Sequence, residues 1–307
     1  MPLTSLSFII PLSYGSIFIL GYIWLAILIM RNWKVFHGSF YRLYLCTTVM
    51  NVFGYLNIYV IFRLPQNTCK DCVLAPIFEQ KHFWGLEILN YLYVHMNTLR
   101  HMMSLIVSFN RFTMVFLPFS FEKLWIDWWI YILVIGFLVP FSVNHPVLLG
   151  VSTYQYVKDL DVFQTRSTNY VTQMFTNIII LNSAITLINL VLTIATCVRL
   201  YTVQMRNRSV IRRTELNLFM MSVATFAVHM LDIIRVTINN ILGDHINRST
   251  TMSVILMVVE PYFADAMTLL SPLFLIICSS AVRQQAFQRK QTVSILTNSV
   301  NQKTVYN

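Results

Sequence analysis

The chain has 307 residues, 56% of them hydrophobic and 11% charged, a ratio for which a soluble domain of this length has too little interior. The excess apolar surface calls for lipid. The formal net charge of +10 would point to nucleic acid in a soluble protein. Here most basic residues sit in short connectors between apolar runs, where they set membrane topology, and no nucleic-acid partner is expected.

Runs of about 20 or more mainly apolar residues, long enough to cross a hydrocarbon core as a helix, follow one another along the chain. They lie at 7–30, 41–62, 83–107, 128–149, 176–198, 216–238 and 252–278. Continuous runs of this length favour helices, since a barrel shows shorter alternating segments. The expected fold class is therefore an all-α membrane protein, a seven-transmembrane helical bundle over 1–289, followed by a disordered cytoplasmic tail over 290–307. No Lys or Arg precedes Arg31, so the first run lacks the basic start of a cleaved signal peptide and reads as a retained span.

Orientation follows from the connectors. One side carries Arg31, Lys34, Arg42, Arg111, Lys123, Arg199, Arg206, Arg208, Arg212, Arg213, Arg283, Arg289, Lys290 and Lys303. The other carries Arg63, Lys70, Lys81, Lys158, Arg166 and Arg248. The positive-inside rule makes the first side cytoplasmic, with the N-terminus outside and the C-terminus inside.

In the first outer connector Cys69 and Cys72 are spaced for a local bridge, or remain two free or otherwise paired thiols. In the third span Glu87, Asn90, Tyr91, Thr98, His101 and Ser108 share one broad helical face. Its outer part, with Glu87, Tyr91 and Thr98, would line a ligand cavity, or its polar groups would simply tie neighbouring helices together for about 0.6 kcal/mol each. Ionisable groups within spans cost about 2.5–3.5 kcal/mol at the centre of a helix and need partners. Arg100 is expected to pair with Asp265 or Glu260 of the seventh span, and Asp232 with Arg235 along the sixth. These pairs serve either a switch or structural compensation. Pro140, Pro261 and Pro272 are expected to kink their helices. Asn247 heads a sequon on the outer side, whereas the sequon at Asn207 is cytoplasmic and should stay unmodified.

At the inner end of the third span stand Asn110, Arg111, Phe112 and Thr113, then Pro118, then Phe121, Glu122, Lys123, Leu124 and Trp125. This string resembles the nematode serpentine chemoreceptors of the gamma class. The string Ser271, Pro272, Leu273, Phe274, followed by Ser279, Ser280, Ala281, Val282 and Arg283, is similar to the end of that family's domain. The resemblance implies a G-protein-coupled chemosensory receptor in the plasma or ciliary membrane of sensory neurons, with a small-molecule ligand and a heterotrimeric G protein as partners. It makes Asn110 and Arg111 a switch and G-protein contact; without it Arg111 reads as an anchor snorkelling at a span end.

An enzyme is not expected. The chain has no phosphate loop, no His-Glu-x-x-His string and no Gly-x-Ser-x-Gly elbow. His229 and Asp232 have no third ligand nearby in sequence, so neither a metal nor a cofactor is expected. The alternative is an ion channel or transporter whose intramembrane charges line a pathway.

Overall fold

A computed structural model describes residues 6–79, 84–158, 161–167, 170–206, 213–245 and 251–287, with some side chains near the segment ends left out. Among these residues seven long helices form the bundle: α1 Leu6–Arg31, α2 Ser39–Ile58, α3 Trp84–Phe116, α4 Phe121–Asn144, α5 Tyr170–Arg206, α6 Arg213–His245 and α7 Thr251–Cys278. A short α8, Ser280–Phe287, follows. Helix α2 continues through a π-turn, Tyr59–Arg63, into the turn Leu64–Gln66. Both α4 and α7 run through their internal prolines.

Five of these helical stretches are long and apolar enough to cross a membrane: Phe8–Arg31, Ser39–Gln66, Phe121–Leu149, Thr176–Thr202 and Pro261–Cys278. The inward side of α3 explains its lower hydropathy. It is the central helix, packed against α2, α4, α5 and α6, while α7 closes the ring onto α1 and α2. Its buried side chains include Asn90, Thr98, His101, Ser108 and Asn110. Exposed positions are apolar, as with Ile17, Leu20, Phe53, Ile126, Ile180 and Leu187. Polar groups inside and hydrocarbon outside is what a lipid solvent selects, because polar atoms facing lipid find no partner. Helix α4 is peripheral, burying Trp125, Gly136, Pro140 and Asn144.

Close packing of α1 on α2 depends on Gly15. A Cβ there would stand 1.8 Å from the Tyr55 hydroxyl, which donates to the Pro11 carbonyl at 2.8 Å. One turn further along, the Tyr59 hydroxyl donates to the Phe8 carbonyl at 3.2 Å.

The helical bundle carries one small addition. Between α4 and α5 an antiparallel hairpin pairs β1, Ser152–Val157, with β2, Val162–Ser167. Phe163 is buried beside Phe78 of the one-turn helix Ala75–Glu79, with Leu64, Tyr154 and Tyr156 around them. The turn is closed by Asp161, at φ 52°, whose carboxylate accepts from the Tyr156 hydroxyl at 2.7 Å and from the Lys70 backbone N–H at 3.2 Å. These two donors hold the Asp161 carboxyl below the usual carboxylate range. Cys69 and Cys72, bonded to each other, shape the loop that presents Lys70. Aromatic and β-branched residues in this stretch form a pleated pair because they have apolar rings to pack on.

The sequon at Asn247 and the tail expected over 290–307 lie outside the described residues.

Candidate functional site

The first element of the site is an ionic knot joining three helices. Asp265 of α7 accepts from Arg63, at the end of the α2 π-turn, and from the Tyr14 hydroxyl of α1. Arg63 also donates to the Tyr14 oxygen at 3.1 Å and lies over the Tyr262 ring at 5.0 Å. Both charged side chains are 4% exposed. The expected partnership of Arg100 with Asp265 is therefore corrected: Asp265 is engaged by Arg63, a residue that the connector reading assigned to the outer loop. The extra residue of the π-turn carries α2 past its apolar run with Arg63 still inside the bundle, and such turns recur at functional sites. The side chains of Glu260 and Arg235 lie outside the described residues, so the other expected pairings are not seen.

A second charged contact joins α3 to α6. His101 Nε2 stands 3.6 Å from an Asp232 oxygen, both side chains fully buried. The His101 ring is 4.6 Å from that of His229. His101 Nδ1 also lies 3.3 Å from the Thr186 hydroxyl of α5, and three residues on Asn189 donates to Ser104 at 3.0 Å. On the other side of the bundle Asn51 of α2 donates to the Tyr22 hydroxyl at 2.8 Å, which donates to the Thr268 carbonyl of α7.

Between α2, α3, α6 and α7 lies a cavity of about 60 Å³, lined among others by Tyr44, Asn51, Arg100, Ser104, Ser108 and His229. It has room for a few waters, whereas a drug-sized ligand needs a few hundred Å³. None of Glu87, Tyr91 and Thr98, the expected ligand contacts, borders it. At about 100° per residue these three point roughly 140–180° away from Arg100 around α3. Tyr91 packs with Val94, Val147 and Ile178, its ring stacked on His95. The Thr98 hydroxyl donates to the Val94 carbonyl at 3.3 Å. Glu87 is buried at the hairpin end of α3, where neighbouring Asn90 donates to Ser152 of β1 at 3.1 Å.

The opposite end of α3 is held by α2 and α4. Asn110 donates to the Ser39 hydroxyl at 2.8 Å, the residue that starts α2. Arg111 is 6% exposed, with its guanidinium 4.1 Å from the centre of the Phe40 ring and Nη1 3.6 Å from Met114 Sδ. An anchor snorkelling to an interface would show its head group to solvent; this one is covered. Trp125, the last residue of the Phe-Glu-Lys-Leu-Trp string, is buried and donates its indole N–H to the Thr113 hydroxyl at 2.9 Å. The string thus ties α4 to α3 two residues from Arg111. Ser279 caps α8 by accepting from the Val282 N–H at 3.3 Å. Arg283 caps the end of α7 by donating to the Ile276 carbonyl at 3.1 Å and to that of Ile277.

Sequence reasoning missed Tyr14, Arg63 and the Trp125–Thr113 bond. For Trp125 the signal was present, since an indole at the start of a span wants an acceptor when buried. Nothing local marks Tyr14 or Arg63, whose partner is 202 positions away for Arg63.

Residues 8–286 match the family described as Srg family chemoreceptor. The chain is 25% identical over 279 residues to serpentine receptor class gamma-31 of Caenorhabditis elegans, covering 88% of each protein.

Proposed function

From the premise that this chain belongs to the Srg family of chemoreceptors, and is thus a multi-pass membrane receptor with a seven-helix bundle, we propose that it couples an extracellular small molecule to a cytoplasmic heterotrimeric G protein. The proposed orientation has the N-terminus and hairpin outside and Arg111 inside, in the plasma or ciliary membrane of sensory neurons. The observation that carries the reading is the occlusion of Arg111. It sits in the family's Asn-Arg position, covered by Phe40, while Asn110 clasps Ser39. A cation–π contact of this kind is worth about 0.5–2 kcal/mol, small enough for a ligand with differential affinity to release it. Freed from α2, Arg111 becomes available to a cytoplasmic partner.

The ligand in this reading approaches from the hairpin end, where Glu87 is the retained candidate contact. The channel alternative draws less support, because two of the intramembrane acids face basic groups on other helices: Asp265 faces Arg63, and Asp232 faces His101. Such pairs cross between helices instead of lining a continuous path. No catalytic role is proposed.

The test is signalling by the full chain with an epitope on each end, read through promiscuous G proteins against a ligand panel. Arg111→Ala is expected to abolish ligand-evoked signalling while surface expression and an external N-terminal epitope persist. An undiminished response in that variant would refute the role of Arg111, and ligand-gated current from purified protein in bilayers would favour the channel.

A further inference from the structure

We infer that the cavity between α2, α3, α6 and α7 is a binding site for a small monovalent anion, chloride foremost, held by the Arg100 guanidinium. This inference stands on the geometry of the bundle and does not depend on the signalling reading.

Arg100 is 4% exposed and lines the cavity. None of its three guanidinium nitrogens has a hydrogen-bond partner among the described residues. A guanidinium carries five N–H donors and no acceptor, and stays protonated in proteins. Burying it therefore calls for an anion or for acceptors on several sides. The nearby acids do not fill that role. Asp265 is engaged by Arg63 and Tyr14, and Asp232 stands against His101. Both attract Arg100 through space, but neither reaches it with a hydrogen bond.

The surroundings are built to leave the guanidinium open to the cavity. Gly54 of α2 backs it: a Cβ at that position would lie 3.2 Å from Nη2. One helical turn along the same face of α3, Ser104 accepts from the Asn189 amide at 3.0 Å. Its hydroxyl hydrogen is then free to donate into the same space. A guanidinium and a hydroxyl donor four residues apart on one helix converge on one point, and a carboxylate side chain is not among the cavity's walls. Size selects the ligand. About 60 Å³ accepts a halide with a water or two and shuts out organic anions of metabolite size. The walls of the site come from four different helices, so a bound anion would favour the packing seen here over any in which they separate.

The experiment uses the full chain in lipid nanodiscs, with thermal unfolding measured as gluconate is replaced by chloride at constant pH and ionic strength. The expected result is a saturable rise of several degrees in the midpoint. Bromide should reproduce it, because a ligand that binds only the folded protein stabilises it by mass action. Arg100→Gln should remove the dependence. Thr225→Met, which fills the cavity with uncharged bulk and leaves Arg100 in place, should remove it as well, and serves where Arg100→Gln yields no folded protein. Equal midpoints in chloride and gluconate would overturn the inference, and so would a chloride dependence that survives Thr225→Met unchanged.

Discussion

Replacing Asp265 by Asn leaves the shape of the ionic knot nearly intact and removes its negative charge. Arg63 then remains buried, 4% exposed, with the Tyr14 hydroxyl and the Tyr262 ring as its remaining neighbours. Breaking a buried pair from one side costs about 3–5 kcal/mol, because the surviving charge is uncompensated. Arg63→Met should cost a similar amount by orphaning Asp265. The double variant leaves neither charge behind and should lose far less than the sum, a coupling of several kcal/mol. At roughly 2–4 °C per kcal/mol for chains of a few hundred residues, either single change should lower the midpoint by on the order of 10 °C. Tyr14→Phe removes one of two donors to the carboxylate and should cost less, about 1.5–3 kcal/mol. The assay is thermal unfolding in nanodiscs, followed by fluorescence-detected size exclusion and treated as a double-mutant cycle. Arg100→Met combined with Asp265→Asn supplies the contrast and should couple more weakly. Additive losses for Arg63→Met and Asp265→Asn, or stronger coupling through Arg100, would refute the assignment of the pair.

Trp125→Phe should lower thermal stability by about 1 kcal/mol for the lost bond to Thr113, plus a packing loss, and should be non-additive with Thr113→Val; additivity would show that the indole bond contributes nothing. Gly15→Leu drives a side chain into the Tyr55 ring and hydroxyl and should cost about 1–3 kcal/mol, read as reduced yield of monodisperse receptor, whereas Gly15→Leu with Tyr55→Ala should recover part of the loss. The Asp161 carboxyl is held below its ordinary value by the donors Tyr156 and Lys70, so its contribution to the hairpin is present above the unfolded value, about 3.9, and is lost as pH falls through the lower folded value. A carbon-detected NMR titration of Asp161 should give a midpoint below that of an unstructured peptide; a midpoint at or above it would contradict the turn geometry.

Legibility from sequence differed from one residue to the next. The membrane class rested on length and hydropathy alone, which the solvent imposes independently of any contact. The inward face of α3 was readable because helical phase is local: Asn90, Thr98, His101 and Ser108 are buried as their spacing implied. Phase did not say which inward group meets which helix: Glu87, Tyr91 and Thr98 were read as the lining of an outer ligand cavity, while the cavity between α2, α3, α6 and α7 is bordered by Arg100, Ser104 and Ser108. Arg63 was misread because a basic residue at the end of an apolar run looks like a topology marker, whereas here the helix continues through a π-turn and Arg63 meets Asp265 inside the bundle. The hairpin escaped notice because its strands are short and the apolar side chains that stabilise them, Leu64 and Phe78, come from a different connector.

By itself the sequence determined that the chain lives in a bilayer as a bundle of helices, that most of its connector positive charges fall on one side, and that it carries the Asn-Arg and Phe-Glu-Lys-Leu-Trp strings on which the resemblance to its family rested. Each of these follows from composition or from neighbours in the chain. The tertiary structure alone decided that Asp265 joins Arg63 and Tyr14, that Asp232 faces His101, that Phe40 covers Arg111, and that Arg100 is left facing a cavity. Those outcomes depend on the rotation and depth of one helix against another, and they are set by packing across the bundle, where residues far apart in sequence compete for the same few partners in a medium that supplies none.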